Sequence, residues 1–280
     1  MRIDAHQHFW RYSPAEYAWI DGTMTALRRD FLPGDLEPQR QLQRIDGTIA
    51  VQARCSLQET RWLLDLSSRH AWIRGVVGWV DLASPLVGHQ LDTFAKDPRL
   101  VGVRHPLQDE APDFACAPAF VRGLALLADR GLAYDVLVRA HQLPQARELC
   151  QRFPAQRFVL DHVAKPDARA RALQPWATQL RALAALPNVS CKLSGLATEA
   201  DWQSWTPASL QPYFAAALEA FGPDRLMFGS DWPVCTCATS YERWFATVGA
   251  WLAPLQPGER AAVLGGTAER VYRLQGKALS

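Results

Sequence analysis

The sequence has no long apolar run, since stretches such as Leu124–Ala128 and Phe214–Leu218 stop within one or two helical turns. A membrane-spanning helix needs ~18 such residues in succession, so none is expected. Charge of one sign is also missing: 30 Lys+Arg stand against 28 Asp+Glu, a net charge of +2. The scattered basic residues make no nucleic-acid footprint. The six cysteines, Cys55, Cys116, Cys150, Cys191, Cys235 and Cys237, are too dispersed for a zinc ribbon or a dense disulfide framework. Reduced, packed thiols are expected, with Cys235-x-Cys237 read as packing. The opening Met1-Arg2-Ile3-Asp4-Ala5-His6 lacks the apolar stretch and cleavage site of a secretory signal, which points to the cytoplasm. No Pro/Ser-rich linker, composition shift or internal repeat marks a boundary, so residues 1–280 are read as one domain.

What the chain does have is eight short apolar runs: Arg2–Ala5, Thr48–Gln52, Gly75–Val80, Leu100–Val103, Ala133–Val138, Arg157–Leu160, Val189–Leu193 and Leu226–Phe228. Most are near-continuous rather than alternating, the pattern of parallel strands covered on both faces. Between them lie segments of helical period: Leu57–His70, Gly88–Ala95, Ala119–Arg130, Gln142–Arg152, Trp176–Ala185 and Leu210–Phe221. Stop signals at Asp129-Arg130-Gly131 and Phe221-Gly222-Pro223 close two of them. Strand and helix alternate throughout, which on 280 residues predicts a (β/α)8 TIM barrel of the α/β class. Two further amphipathic helices, Tyr241–Leu252 and Pro257–Leu274, are expected to seal its last side.

In such a barrel the carboxyl ends of the strands converge on one mouth. The first run ends His6-Gln7-His8, and residues two apart in a strand share a face, so both imidazoles can meet one ligand. The sixth ends Asp161-His162 with Lys165 beyond, and the eighth leads into Gly229-Ser230-Asp231-Trp232-Pro233. Singly, each polar residue reads as a satisfied hydrogen-bonding group. His6, His8, His162 and Asp231 together, each at a strand end, read as a shared active site. Neutral imidazoles bind a divalent ion or polarise a carbonyl, and a carboxylate takes a proton from water. Arg104, His105, Lys165 and Ser194 are substrate-facing candidates, as are Gln52, Arg54, Asp81, Asp135, Arg139, His141 and Lys192; rim salt bridges are the competing reading. Trp10, Trp79 and Trp232 lie at or just past strand ends, where an indole face stacks on a sugar-like ring or packs a loop over the barrel.

The segments Ile3-Asp4-Ala5-His6-Gln7-His8-Phe9-Trp10, Gly102-Val103-Arg104-His105, Asp161-His162-Val163-Ala164-Lys165-Pro166, Cys191-Lys192-Leu193-Ser194-Gly195 and Phe228-Gly229-Ser230-Asp231-Trp232-Pro233 resemble the amidohydrolase-2 branch of the amidohydrolase superfamily. The likeness is strongest to its sugar-lactonase group. It implies a TIM-barrel hydrolase that opens the ring ester of a sugar (aldono-) lactone, an L-fucono- or related L-sugar lactone, to the aldonic acid. On this likeness His6 and His8 match the first-strand pair, His162 the later histidine and Asp231 the final aspartate. Binuclear members bridge two metals with a lysine at the end of the fourth strand. Arg104-His105 stands there in this chain, so two ions are not expected.

The resemblance leaves two versions of the chemistry open. In one, His6, His8, His162 and Asp231 hold a single zinc or manganese ion; in the other they work without metal, the imidazoles donating to the oxyanion. In both, Asp231 is the general base, Arg104, His105 and Lys165 bind substrate oxygens, and no organic cofactor is needed. The partner is then a small-molecule sugar lactone, with oligomeric state undetermined. Competing readings are hydrolysis of a carboxylated, aromatic-derived lactone, a metal-dependent decarboxylase of the same branch, and, from another class, a non-catalytic metabolite-binding barrel.

Overall fold

The computed structural model describes residues 1–274, so positions 275–280 of the expected domain lie outside the described residues. Eight strands form one sheet in chain order: β1 (Ile3–Gln7), β2 (Gly47–Val51), β3 (Ile73–Gly78), β4 (Leu100–Pro106), β5 (Ala133–Leu137), β6 (Phe158–Leu160), β7 (Val189–Leu193) and β8 (Leu226–Phe228). Every neighbouring pair is parallel. The seam between β8 and β1 is closed just past β8, where His8 N donates to Trp232 O (2.7 Å) and Asp231 N to His6 O (2.8 Å). These are the eight runs read from the sequence, wrapped into a (β/α)8 barrel. Their near-continuous apolarity has its cause in burial on both faces: β1, β2, β5 and β7 are buried at every residue.

Helices α2 (Leu57–Arg69), α3 (Val87–Phe94), α4 (Pro118–Asp129), α5 (Leu143–Arg152), α6 (Trp176–Ala184) and α7 (Pro207–Phe221) alternate with the strands, within a few residues of the expected bounds. One helix escaped the pattern. Between β1 and β2 lies α1 (Pro33–Leu42), whose only buried residues are Pro33 and Leu36, so it carries no apolar stripe for periodicity to detect.

The C-terminal part departs from the expected pair of sealing helices. α8 (Tyr241–Leu252) does lie against the barrel, with Tyr241 Oη donating to Asp4 Oδ2 at 3.1 Å. The second is not one helix: α9 (Pro257–Ala261), a π-helical turn (Ala262–Gly266) and α10 (Thr267–Val271) follow one another. The break falls where the chain crosses the start of β1, since a side chain at Gly265 would put its Cβ 2.2 Å from the Met1 carbonyl oxygen. Beyond it Ala268, Val271, Tyr272 and Leu274 pack with Ile3, Ala5, Val51, Val77, Val159 and Met227 in one apolar cluster. This segment therefore plugs the base of the barrel rather than its side.

One irregularity aims the site. Between Asp4 and Gln7, β1 advances one residue more than β2, a β-bulge. Ile3 and Ala5 belong to the apolar cluster in the barrel's base, while the bulge turns His6 and His8 into the mouth above it.

Candidate active site

A cavity of about 370 Å³ opens at the carboxyl ends of the strands, with His8, Gln52, Arg54, Arg104, His162, Lys165 and Asp231 among its walls. On its floor the Nε2 atoms of three imidazoles surround one carboxylate oxygen. Asp231 Oδ1 lies 3.8 Å from His6, 3.4 Å from His8 and 3.9 Å from His162. His6 and His8 Nε2 are 3.1 Å apart. All four side chains are buried.

Each ring is fixed from behind. His8 Nδ1 sits 2.8 Å from the Val51 carbonyl oxygen, which only accepts, so the ring donates from Nδ1 and turns Nε2 to the centre. His6 Nδ1 lies between Lys192 Nζ at 3.1 Å and Asp161 Oδ1 at 3.3 Å, and His162 Nδ1 faces Ser194 Oγ at 2.9 Å. Burial, with the nearby Lys192 ammonium, holds His6 well below the usual imidazole range, and burial pushes His162 down to about 4. Burial would raise the Asp231 carboxyl, but His162, the hydrogen bond from His8, and His6 pull it well below its ordinary value. At neutral pH the set therefore presents a carboxylate ringed by imidazoles of which His6 and His162 are uncharged.

Beneath it runs a buried ion network. Lys192 Nζ, without solvent exposure, bonds Asp135 Oδ2 (2.5 Å) and pairs with Asp161 Oδ1 (3.1 Å). Arg104 Nη1 binds Asp161 Oδ2 at 2.9 Å and lies 3.3 Å from His6 Nε2, while Nη2 reaches Gln52 Oε1 at 3.0 Å. Tyr272, from the basal plug, donates to Asp135 at 2.8 Å. Burial raises the Asp135 carboxyl; Asp161, despite burial, is held low by Lys192, His6 and Arg104.

The loop after β6 is backbone-strained. His162, Val163, Ala164 and Lys165 have φ of 52, 46, 58 and 48°, four L-residues in the left-handed region, each costing roughly 1–2 kcal/mol. A tight left-handed turn brings positions three apart to one side, and His162 and Lys165 both line the cavity. Trp176 Nε1 holds the turn through the Val163 carbonyl (2.7 Å), and Lys165 N closes it on His162 O (2.8 Å). Gly195 makes room: a Cβ there would fall 2.8–2.9 Å from three atoms of His162.

Other sequence candidates lie elsewhere. His105 follows Arg104 on β4 and so faces away from the mouth; it accepts from Trp79 Nε1 (3.1 Å), donates to Glu110 (2.8 Å) and stacks on Phe114. Trp79 is thus His105's partner rather than a cavity wall. Trp10 donates to Arg29 O and packs on Phe31, and Trp232 packs on Phe9 and Phe31, both fully buried. Ser194 touches His162, where it orients the ring. Asp81 caps a turn at Ala83, and Arg139 pairs with Asp109. Conversely, Asp161 beside His6, and Glu16 and Trp19 on the cavity wall, carry no sequence signal of their own. Asp161 was visible only as the neighbour of His162; Glu16 and Trp19 sit in the loop after β1, away from any strand end.

The donor set fits one divalent ion. Zinc takes imidazole nitrogens and carboxylate oxygens; His6, His8 and Asp231 bring such atoms to 3.1–3.8 Å of one another, around the ~3.4 Å edge of a tetrahedron with ~2.1 Å arms, and His162 stands 3.9 Å from Asp231 as a further imidazole donor. The outer nitrogens on Val51, Asp161 and Ser194 supply the second layer of contacts that such ligands need. His6, Asp161 and His162 also approach one another. There, however, Asp161 is already paired with the Lys192 ammonium and the Arg104 guanidinium, two cations that oppose a second ion.

The amidohydrolase family profile matches residues 3–274. An L-fucono-1,5-lactonase of Burkholderia multivorans is 47% identical over 98% of this chain and 96% of its own length. One from Burkholderia ambifaria is 39% identical with the same coverage. A crystal structure of a Burkholderia multivorans amidohydrolase with bound zinc superposes with a TM-score of 0.94 at 46% identity, covering 98% of this chain and 99% of that one.

Proposed function

The chain belongs to the amidohydrolase family, and from that premise we propose that it is a lactonase, opening the ring ester of a neutral sugar lactone of the L-fucono-1,5-lactone type to the aldonic acid. The observation that carries this is the ionised Asp231 ringed by three imidazoles on the floor of a cavity of sugar size, in a chain 47% identical to an enzyme of that activity.

In the proposed reaction Asp231 removes a proton from water as the oxygen attacks the lactone carbonyl, then returns it to the ring oxygen as the ester bond breaks. An alkoxide leaves from a lactone more readily than an amine from an amide, so a second ion is not required. His8 Nδ1, donating to the Val51 carbonyl oxygen, leaves Nε2 as the ring nitrogen directed at the centre, where it is placed to hold a cation. A zinc or manganese ion held by His6, His8, His162 and Asp231 would supply Lewis acidity toward the carbonyl. Arg104 stands beside His6 on the same floor with donors directed at its neighbours, and Lys165, Gln52 and Arg54 line the wall where hydroxyl groups would lie.

A carboxylated substrate is disfavoured by the pairing of the cavity's cations. Arg104 is bound to Asp161, Arg54 to Glu16, and Lys165 lies 3.9 Å from Glu199. Asp109 and Glu110 add negative charge at the rim. The test is proton release on fucono-, rhamnono-, galactono- and arabinono-lactones, before and after exhaustive chelation. Turnover of an L-sugar lactone, lost on chelation and restored by zinc or manganese, is the expected result. Silence on every sugar lactone by folded, metal-loaded protein contradicts the proposal.

A further inference from the structure

Among the described residues Trp19 is the one exposed Trp, Tyr or Phe, at 40%, and it lies on the wall of the cavity. It is not loose. Its Nε1 donates to the Ala53 carbonyl (3.0 Å), and its ring stands edge-to-face on the buried Trp10 at 5.7 Å and 89°. Ala53 is in turn fixed by its own N–H on Glu59 Oε2 (3.0 Å), a carboxylate that also accepts from Tyr17 Oη (3.4 Å). The indole is thus fixed on one side by Trp10 and Ala53 and stays 40% exposed where it borders the cavity.

The cavity is two-sided in its chemistry. His8, His162, Asp231, Gln52, Arg104 and Lys165 supply polar groups, whereas Trp19 with Ala18, Ala53, Leu137 and Val234 supplies apolar surface. A six-membered sugar lactone is two-sided too: its hydroxyls seek hydrogen bonds, and its C–H face and any methyl on C5 do not. An aromatic face takes the second. We propose that Trp19 is the specificity-determining platform of this site, packing its indole on the C–H face and C5 methyl of the lactone. The inference rests on the lactonase reading and adds to it the residue that distinguishes a deoxy sugar from its hydroxylated counterpart.

The test compares wild type, Trp19→Ala and Trp19→Phe on L-fucono-1,5-lactone (methyl on C5), L-galactono-1,5-lactone (hydroxymethyl there) and D-arabinono-1,5-lactone (hydrogen). Loss of one methyl contact in an apolar pocket is worth roughly 10-fold or more in kcat/KM. Trp19→Ala is expected to lose ~10-fold or more on the methyl lactone, mainly through KM, and to lose the preference for methyl over hydrogen. Trp19→Phe, which keeps a ring but not the bond to Ala53, is expected to stay within ~3-fold of wild type. If Trp19→Phe falls as far as Trp19→Ala on all three lactones alike, the hydrogen bond to the scaffold is what matters and the platform is overturned. Wild-type turnover that Trp19→Ala leaves unchanged overturns the platform alone; wild-type silence on all three overturns it together with the lactonase reading.

Discussion

Lys192 shows how a single side chain holds the floor of the proposed active site in place. Its ammonium is fully buried between Asp135 and Asp161, and Asp161 in turn orients His6 and Arg104. Without Lys192, Asp135 would lose its cation and Asp161 would keep only Arg104, and removing one partner of a buried pair costs about 3–5 kcal/mol. Lys192→Met, similar in length but uncharged, is expected to lower stability in urea by ~3 kcal/mol. A loss below ~1 kcal/mol would show that the network relaxes around the gap. The tryptophans teach the same lesson about residue-level inference. Trp10, Trp79 and Trp232 stood at strand ends in the sequence, yet loop packing and the bond to His105 absorb them. Trp19, in a loop the strand pattern does not reach, is the indole on the cavity wall.

At the scale of the element, the left-handed turn after β6 is the feature on which the geometry depends most. It directs His162 and Lys165 to one side, and it needs Gly195, whose φ of +70° and missing Cβ leave space for the imidazole. Gly195→Ala is expected to displace His162 and cut turnover by ~10²-fold, as a misplacement of about 1 Å does, while lowering stability by only ~1–3 kcal/mol. Unchanged turnover in the folded variant would mean that His162 does not need its present position. The strands and seven of the helices, α2–α8, were legible because parallel strands buried on both faces and amphipathic helices leave separate periodicities. The turn was not, because nothing in His162-Val163-Ala164-Lys165 favours a left-handed backbone; tertiary contacts from Trp176 impose it. The bulge in β1 was likewise hidden: the spacing of His6 and His8 gave their shared face, while the extra residue that turns that face into the mouth shows only in the pairing with β2.

For the whole molecule, Glu59 joins the loop after β1 to the loop after β2 through Tyr17, Ala53 and Arg54. Burial pushes its carboxyl up to about 7 from an ordinary 4.5, against the N–H bonds of Arg54 and Ala53. The folded state therefore binds more protons than the unfolded one between these values, and Glu59's contribution to stability falls as pH rises from about 4.5 through about 7. Glu59→Gln does not titrate, so measured against wild type it should gain stability across that interval and level off above it. A difference that stays flat, or moves in favour of wild type, would contradict the assignment. Barrel, basal plug and tied loops together serve one centre, and the claim that matters most is that Asp231 does its chemistry. The direct measurement is turnover of L-fucono-1,5-lactone by Asp231→Asn beside wild type, with fold and metal content matched. The account predicts a fall in kcat of at least ~10²-fold, the contribution of a positioned base; near-wild-type turnover would contradict it.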